Sequence, residues 1–361
     1  MSTIDTLGRG NAFVRGRPLL SVVFLVGFAL LVDLVHGMYT GRIPLENVTR
    51  LFWNGLLVGL ILGLAGIGLS MTYSILNFAN FSHGDLITVG AFSGWSVTYL
   101  LAGAGATEFG ARVLIDANLN VTVLSDPFAV VVGLVLASAL TILIALVVDR
   151  LVYRPMRDSS GISLLIASIG VALVLRHLVA FVYRAHTRGV TGGERVDILP
   201  VFEGAGNVSV NTATLMVVAV TLMIGVHLLV QRTKLGTAMR AMADNQDLAL
   251  ITGIPTERVV TWTWILGAGL TGAAGFLIVL ERGTLDFNIG WGLLLLIFAA
   301  VILGGIGSIY GAIGGGLIIG LTQSLSTIWI PSDFATPAAF SLMILVLLFR
   351  PSGLFGGVST A

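Results

Sequence analysis

The chain has 361 residues, 56% of them hydrophobic and only 10% charged, with 46 glycines, no cysteine and one lysine, Lys234. A water-soluble domain carries roughly a quarter of its residues as Asp, Glu, Lys and Arg, so this composition excludes a soluble fold. The formal net charge of +1 offers no basis for binding nucleic acid, and the lack of cysteine excludes disulfide frameworks, thiol catalysis and cysteine metal sites.

The expectation is an all-α membrane protein, one transmembrane domain over 1–361 embedded in the lipid bilayer. A helix needs about 20 residues to cross a ~30 Å hydrocarbon core. Cutting the apolar runs at charges and Pro/Gly clusters gives ten candidates at 19–36, 51–76, 86–104, 127–148, 162–183, 211–231, 259–280, 291–306, 309–330 and 336–349. The eighth and tenth are short, so eight to ten spans are expected. The first run follows Arg9, Arg15 and Arg17 without a small-residue cleavage site behind it, and reads as a retained helix.

Orientation follows from basic residues in short loops. With the N-terminus inside, Arg9, Arg15, Arg17, Arg150, Arg154, Arg157, Arg232, Lys234, Arg240, Arg258 and Arg350 face the cytoplasm, against Arg42, Arg50, Arg112, Arg184, Arg188, Arg195 and Arg282 outside. Residues 1–18, a loop at 231–258 and the tail at 350–361 are then cytoplasmic.

Between the second and third runs, residues 77–85 compress Asn77, Asn80, Ser82, His83 and Asp85 between apolar stretches. Irregular polar backbone at membrane depth is tolerated only inside protein or beside a water-filled cavity, and intramembrane ionisable groups default to a functional hypothesis. Two readings stand: a lining or gate of a substrate path, or a helix cap in which Asn80 and Ser82 satisfy the third helix while His83 and Asp85 pair with each other or with nearby backbone. In the fifth run, Arg176 could meet a substrate carboxylate or snorkel toward the nearer membrane surface.

The loop at 231–258 reads as a short amphipathic helix pair. Leu248, Ala249 and Ile251 continue the helical spacing of Ala238, Ala241 and Met242, opposite Arg240, Asp244 and Asp247, and Gly253 and Pro255 end it. A face of small residues suits a groove on a soluble partner; an interfacial helix would carry more Lys, Arg and bulky apolar groups. Coupling candidates are Gly236, Ala238, Arg240, Ala241, Asn245, Ala249 and Gly253. Glycines at 55, 59, 63, 66 and 68, and a second set from 304 to 320, permit close helix approach or flexing.

Catalytic machinery is missing from the sequence. No G-x-x-x-x-G-K-[ST] or H-E-x-x-H motif occurs, and Lys234 follows Thr233 where a phosphate loop needs glycine. The chain is expected to be no enzyme and to bind no cofactor or metal itself. A central crossover would make spans two to five and seven to ten inverted-topology repeats, so that residues 282–291 should be broken like 77–85.

The run Gly66-Ile67-Gly68-Leu69-Ser70-Met71-Thr72-Tyr73-Ser74-Ile75-Leu76 followed by Asn80-Phe81-Ser82-His83-Gly84-Asp85 resembles permeases of branched-chain amino acid ABC importers of the LivH type. Their pattern is close to N-F-A-H-G-D/E, from which Ser82 departs. Ala238-Met239-Arg240-Ala241 with Asn245, Ala249 and Gly253-Ile254 is similar to that family's coupling loop. Residues 303–312 and 347–356 look like its late signatures. The resemblance implies a type II-like importer permease acting with a LivM-type second permease, LivG/LivF-type ATP-binding subunits that use the ATP, and an external amino-acid-binding protein. Branched-chain amino acids are the implied cargo, with urea or short amides as the alternative. A stand-alone secondary transporter or channel is the competing class, and a docking helix is what such a carrier would not need.

Overall fold

A computed structural model describes residues 18–105, 107–117, 119–191, 197–200 and 207–356. Arg9, Arg15, Arg17, Arg195 and residues 357–361 of the tail lie outside them. The helices are α1 Pro18–Tyr39, α2 Leu45–Leu76, α3 Ser82–Ala102, α4 Phe109–Val113, α5 Pro127–Val148, α6 Gly161–Tyr183, α7 Val210–Arg232, α8 Lys234–Asp244, α9 Gln246–Ile251, α10 Thr256–Arg282, α11 Ile289–Gly304, α12 Ile309–Leu325 and α13 Ala335–Phe349. Four short strands are β1 Arg188–Gly189, β2 Asp197–Pro200, β3 Asn207–Ser209 and β4 Thr284–Leu285.

Each of the ten apolar runs coincides with a helix. Among the described residues, seven helices are long and apolar enough to cross a membrane, and the shorter apolar helices Leu25–Tyr39 and Ile289–Gly304 accompany them. Helix α3 has the length, but Ser82, His83 and Asp85 at its start lower its hydropathy.

By internal contacts the chain divides into two units, one of residues 1–50 with 200–206 and the other of 51–199 with 207–361. In the first, α1 exposes Leu25, Val26, Phe28, Leu31 and Val35, the surface a helix presents to lipid, and Arg42 pairs with Asp33 at 2.6 Å beyond the apolar stretch. In the second, α2 and α10 are buried along most of their length, while α5, α6, α7 and α13 leave most of theirs exposed. Polar-in, apolar-out burial is unnecessary for helices solvated by lipid, so the inner ones are distinguished by packing.

Glycine supplies that packing. Gly55, Gly59 and Gly63, spaced by four along α2, meet α12: a Cβ on Gly55 would lie 2.9 Å from Leu321 Cα, one on Gly59 2.8 Å from Leu317 Cα, and one on Gly316 2.5 Å from Gly63 N. Two small-residue ridges therefore bring the backbones together without side chains between them. Helix α3 packs on α5, α6, α10 and α11, and a Cβ on Gly84 would lie 2.8 Å from Gly290 O.

The break expected at 282–291 is shorter, with only 283–288 non-helical between α10 and α11: Gly283 takes φ +70° and β4 pairs antiparallel with β1, Arg188 opposite Leu285. The second residue of α11 meets α3 again, Gly290 N donating to Thr88 Oγ1 at 3.1 Å. Both non-helical breaks thus deliver the chain into helices that touch each other.

Candidate functional site

Helix α2 ends at Leu76, and Asn77 turns the chain with φ +54°, a conformation Asn tolerates better than most residues. Its N–H donates to Tyr73 O at 2.9 Å, and its side chain is exposed, so Asn77 stands apart from the buried polar groups that follow. Asn80 is fully buried. Its Oδ1 accepts from Ser82 N at 3.1 Å, Ser82 Oγ at 2.7 Å and Tyr153 Oη at 3.3 Å. Phe81 N donates to Ser168 Oγ of α6 at 3.0 Å.

Those acceptors satisfy amides that a helix start leaves without intrahelical partners, which is why α3 begins at Ser82. The expected boundary at 86 is corrected by four residues: Ser82, His83 and Asp85 form the first turn of a helix, and only 77–81 is non-helical.

From that turn each side chain reaches a different neighbour. Ser82 Oγ lies 2.8 Å from Tyr153 Oη, in the single π-helical turn Asp149–Tyr153 that extends α5; such turns recur at functional sites. His83 Nε2 lies 2.9 Å from Ala65 O of α2 and 3.4 Å from Thr271 Oγ1 of α10. A carbonyl only accepts, so the network assigns the hydrogen to Nε2.

Asp85, fully buried, takes Arg176 Nε at 3.0 Å and Nη2 at 2.9 Å, and the guanidinium lies 4.5 Å from the Trp291 ring centroid of α11. Of the two partners expected for His83 and Asp85, each other or nearby backbone, His83 takes backbone, Ala65 O, and Asp85 takes neither but Arg176. Arg176 does not snorkel: its side chain is 11% exposed because a bidentate carboxylate holds it inside.

Sequence reasoning passed over Tyr153, Trp264 and Trp291. Tyr153 sits between charged neighbours in the sequence and looks like an interfacial aromatic, yet it is 1% exposed, stacked on Trp264 at 5.4 Å with an interplanar angle of 3°. Around it Asn80 Nδ2 and Trp264 Nε1 are buried N–H groups without an acceptor. Unsatisfied buried donors are costly, and these two could be met by a water or by a carbonyl or carboxylate oxygen of a solute.

The segment from 231 to 258 is the helix pair the sequence indicates. Thr233 Oγ1 accepts from Gly236 N at 3.1 Å to cap α8, and Asn245 Oδ1 accepts from Leu248 N at 2.9 Å to cap α9. Gly253, at φ +86°, closes α9, with Ile254 N bonded to Ala249 O at 3.0 Å.

Its apolar face is split, which corrects the single small-residue face. Gly236, Met239, Met242 and Ala249 are buried against the rest of the chain, and Ala238, Arg240 and Ala241 are half-buried. Arg240 Nη1 donates to Val230 O. What α9 shows outward is Leu248, Leu250 and Ile251, at 54%, 59% and 79% exposure.

A multi-pass helical bundle with a buried polar hub and an exposed helix pair has the form of a membrane permease. The sequence profile of the family described as branched-chain amino acid transport system / permease component matches residues 51–350. The chain belongs to that family, and as a permease component it works within a larger transport system in the cell membrane.

Among its relatives, the high-affinity branched-chain amino acid transport system permease protein LivH of Escherichia coli (strain K12) is 29% identical over 315 residues, covering 84% of this chain and 94% of the relative. The corresponding protein BraD of Pseudomonas aeruginosa is 29% identical over 310 residues, with the same coverage. A probable LivH permease of Methanocaldococcus jannaschii is 31% identical over 311 residues, covering 82% and 89%. No solved structure matches the chain. These comparisons lend no support to a stand-alone carrier or channel, or to urea or amide transport.

Proposed function

We propose that the chain is the LivH-type translocation subunit of a type II-like ABC importer for branched-chain amino acids. It pairs with a LivM-type permease, receives cargo from an external binding protein and is driven by LivG/LivF-type ATP-binding subunits that hold the ATP. The observation that carries this reading is the α8–α9 pair, which is anchored on its inner face by Gly236, Met239, Met242 and Ala249 yet leaves Leu248, Leu250 and Ile251 uncovered. Exposed apolar residues outside the bilayer mark a docking surface. With the N-terminus inside, α8 and α9 face the ATPase subunits, and Asn77, Asn80, Ser82, His83, Asp85 and Arg176 lie on or beside the path, where a change at any of four helices reaches the first turn of α3.

Because the chain has no cysteine of its own, one introduced thiol reports unambiguously. In intact cells, Thr237→Cys and Ser159→Cys should resist an impermeant thiol reagent while Asn120→Cys is labelled, and Ile251→Cys should cross-link to an ATP-binding subunit. Labelling at Thr237 from outside overturns the orientation and the docking role with it.

A further inference from the structure

We propose that Tyr153 is the positioning residue through which motion of the docking helices reaches the polar break at the start of α3, its π-helical turn being moved by α10. The direction of action rests on the coupling role proposed above for α8 and α9.

Helices α9 and α10 are joined stiffly. Only residues 252–255 separate them, and across that link Ile254 N donates to Ala249 O and Arg258 N to Pro255 O, both at 3.0 Å. A displacement of α9 is therefore passed to the first turn of α10. That turn carries Glu257, whose carboxylate accepts from Arg154 Nε at 3.3 Å through Oε2 and from Arg157 Nη1 through Oε1. Arg157 Nη2 in turn donates to Asp149 Oδ1 at 3.2 Å and Oδ2 at 3.0 Å. One carboxylate of α10 thus grips the segment after the π-helical turn and, through Arg157, the residue that opens it.

Exposed ion pairs are weak singly, but α10 holds the turn a second time. Trp264 lies seven residues beyond Glu257, two turns on and so on the same face. It stacks on Tyr153 at 5.4 Å with 3° between the planes, and both rings are 1% exposed.

From the turn, the Tyr153 hydroxyl reaches the break. Its Oη lies 2.8 Å from Ser82 Oγ and 3.3 Å from Asn80 Oδ1. Asn80 Oδ1 is also the acceptor for Ser82 N, so Tyr153 holds the atom that fixes the first amide of α3. A shift of the ring displaces that acceptor, and with it the start of the helix that carries His83 and Asp85. Coupling carried by packed and hydrogen-bonded groups needs an element with two arrangements. An i→i+5 turn holds one residue more than the α-helix before it, and its return to α-helical register would rotate Tyr153 about the axis. Among the described residues, Asn80 Nδ2, Trp264 Nε1 and Arg157 Nε along this route are buried without an acceptor, so leaving the present packing forfeits fewer bonds than leaving a fully satisfied one.

Hydrogen exchange of the full-length chain in lipid nanodiscs, with no other subunit present, tests the route itself. Tyr153→Phe keeps the ring on Trp264 and removes only the hydroxyl, and Glu257→Gln acts at an exposed position on α10. Each should raise exchange at the Ser82 amide about fivefold, the factor for one net hydrogen bond, while the amides of α7 exchange as in the wild type. Unless both variants show the rise, the route is overturned; a rise spread over the whole chain, α7 included, marks general loosening and overturns it too. In the assembled transporter the same variants should lower uptake of labelled L-leucine per ATP hydrolysed by a similar factor. Uptake and hydrolysis falling in proportion would make Tyr153 merely structural and overturn its positioning role. A wild-type complex without ATP-dependent uptake would instead overturn the proposed function, and the exchange result would still decide the route.

Discussion

Replacing Asp85 by Asn should destabilise the protein by about 3–5 kcal/mol, the usual cost of stranding one partner of a buried ion pair. Asp85 and the Arg176 guanidinium meet through two hydrogen bonds of 3.0 and 2.9 Å with Asp85 fully buried. The asparagine would keep one acceptor oxygen for the guanidinium but leave the enclosed Arg176 charge, beside the Trp291 face, without a counter-ion. Against a total stability of ~5–15 kcal/mol for a typical domain, that is a large fraction, and it should lower both the melting temperature and the amount of folded permease in the membrane.

His83→Gln should behave differently. A glutamine amide can still donate to Ala65 O, so about 1 kcal/mol is at stake, the net worth of one hydrogen bond. Membrane abundance and thermal stability of the detergent-extracted protein distinguish the two. The double variant Asp85→Leu with Arg176→Met removes both charges and should recover most of the stability. If Asp85→Asn accumulates and melts like the wild type, the pair does not hold the helices together.

Leu248→Asp and Ile251→Asp should abolish ATP-driven uptake while leaving the permease folded. Both side chains are more than half exposed, and surface substitutions usually shift stability by no more than ~0.5 kcal/mol. A buried apolar anchor at a docking contact is worth ~2 kcal/mol or more, about a thirtyfold change in occupancy. These positions report docking more cleanly than Ala241→Trp or Gly253→Trp. Ala241 is half-buried against the chain itself, and a tryptophan at Gly253 would be strained at φ +86°. Uptake at the wild-type rate in both aspartate variants, with normal protein levels, would remove α9 from coupling.

The spans were legible because lipid demands one thing of a helix, an apolar stretch of sufficient length, and composition records it directly. Helix packing was legible from the four-residue glycine spacing of Gly55, Gly59 and Gly63, which lines up small residues on one helix face, and the structure shows that face against α12. The polar break could be found from Asn80 to Asp85 as a cluster of costly residues, but the partners could not. Arg176 is 91 positions from Asp85, and Tyr153 is 71 from Ser82, and a snorkelling arginine and a buried one look alike in sequence. The start of α3 was misplaced for the same reason, since the side chains that satisfy its first amides include Ser168, far along the chain. In the α8–α9 pair, periodicity located an apolar stripe, but two helices joined at Asn245 turn their stripes in different directions, and one sequence pattern covered a buried and an exposed surface.

The central claim, that this chain carries amino acids only as a subunit powered by ATPases, is tested most directly by uptake of labelled L-leucine into proteoliposomes. These would hold the chain with its second permease and ATP-binding subunits, with the binding protein on the opposite side from the ATP. The expected result is accumulation that requires ATP and this chain together, and that disappears when either is left out. Leucine entry through the chain alone, at a rate indifferent to ATP and to the ATP-binding subunits, would contradict it.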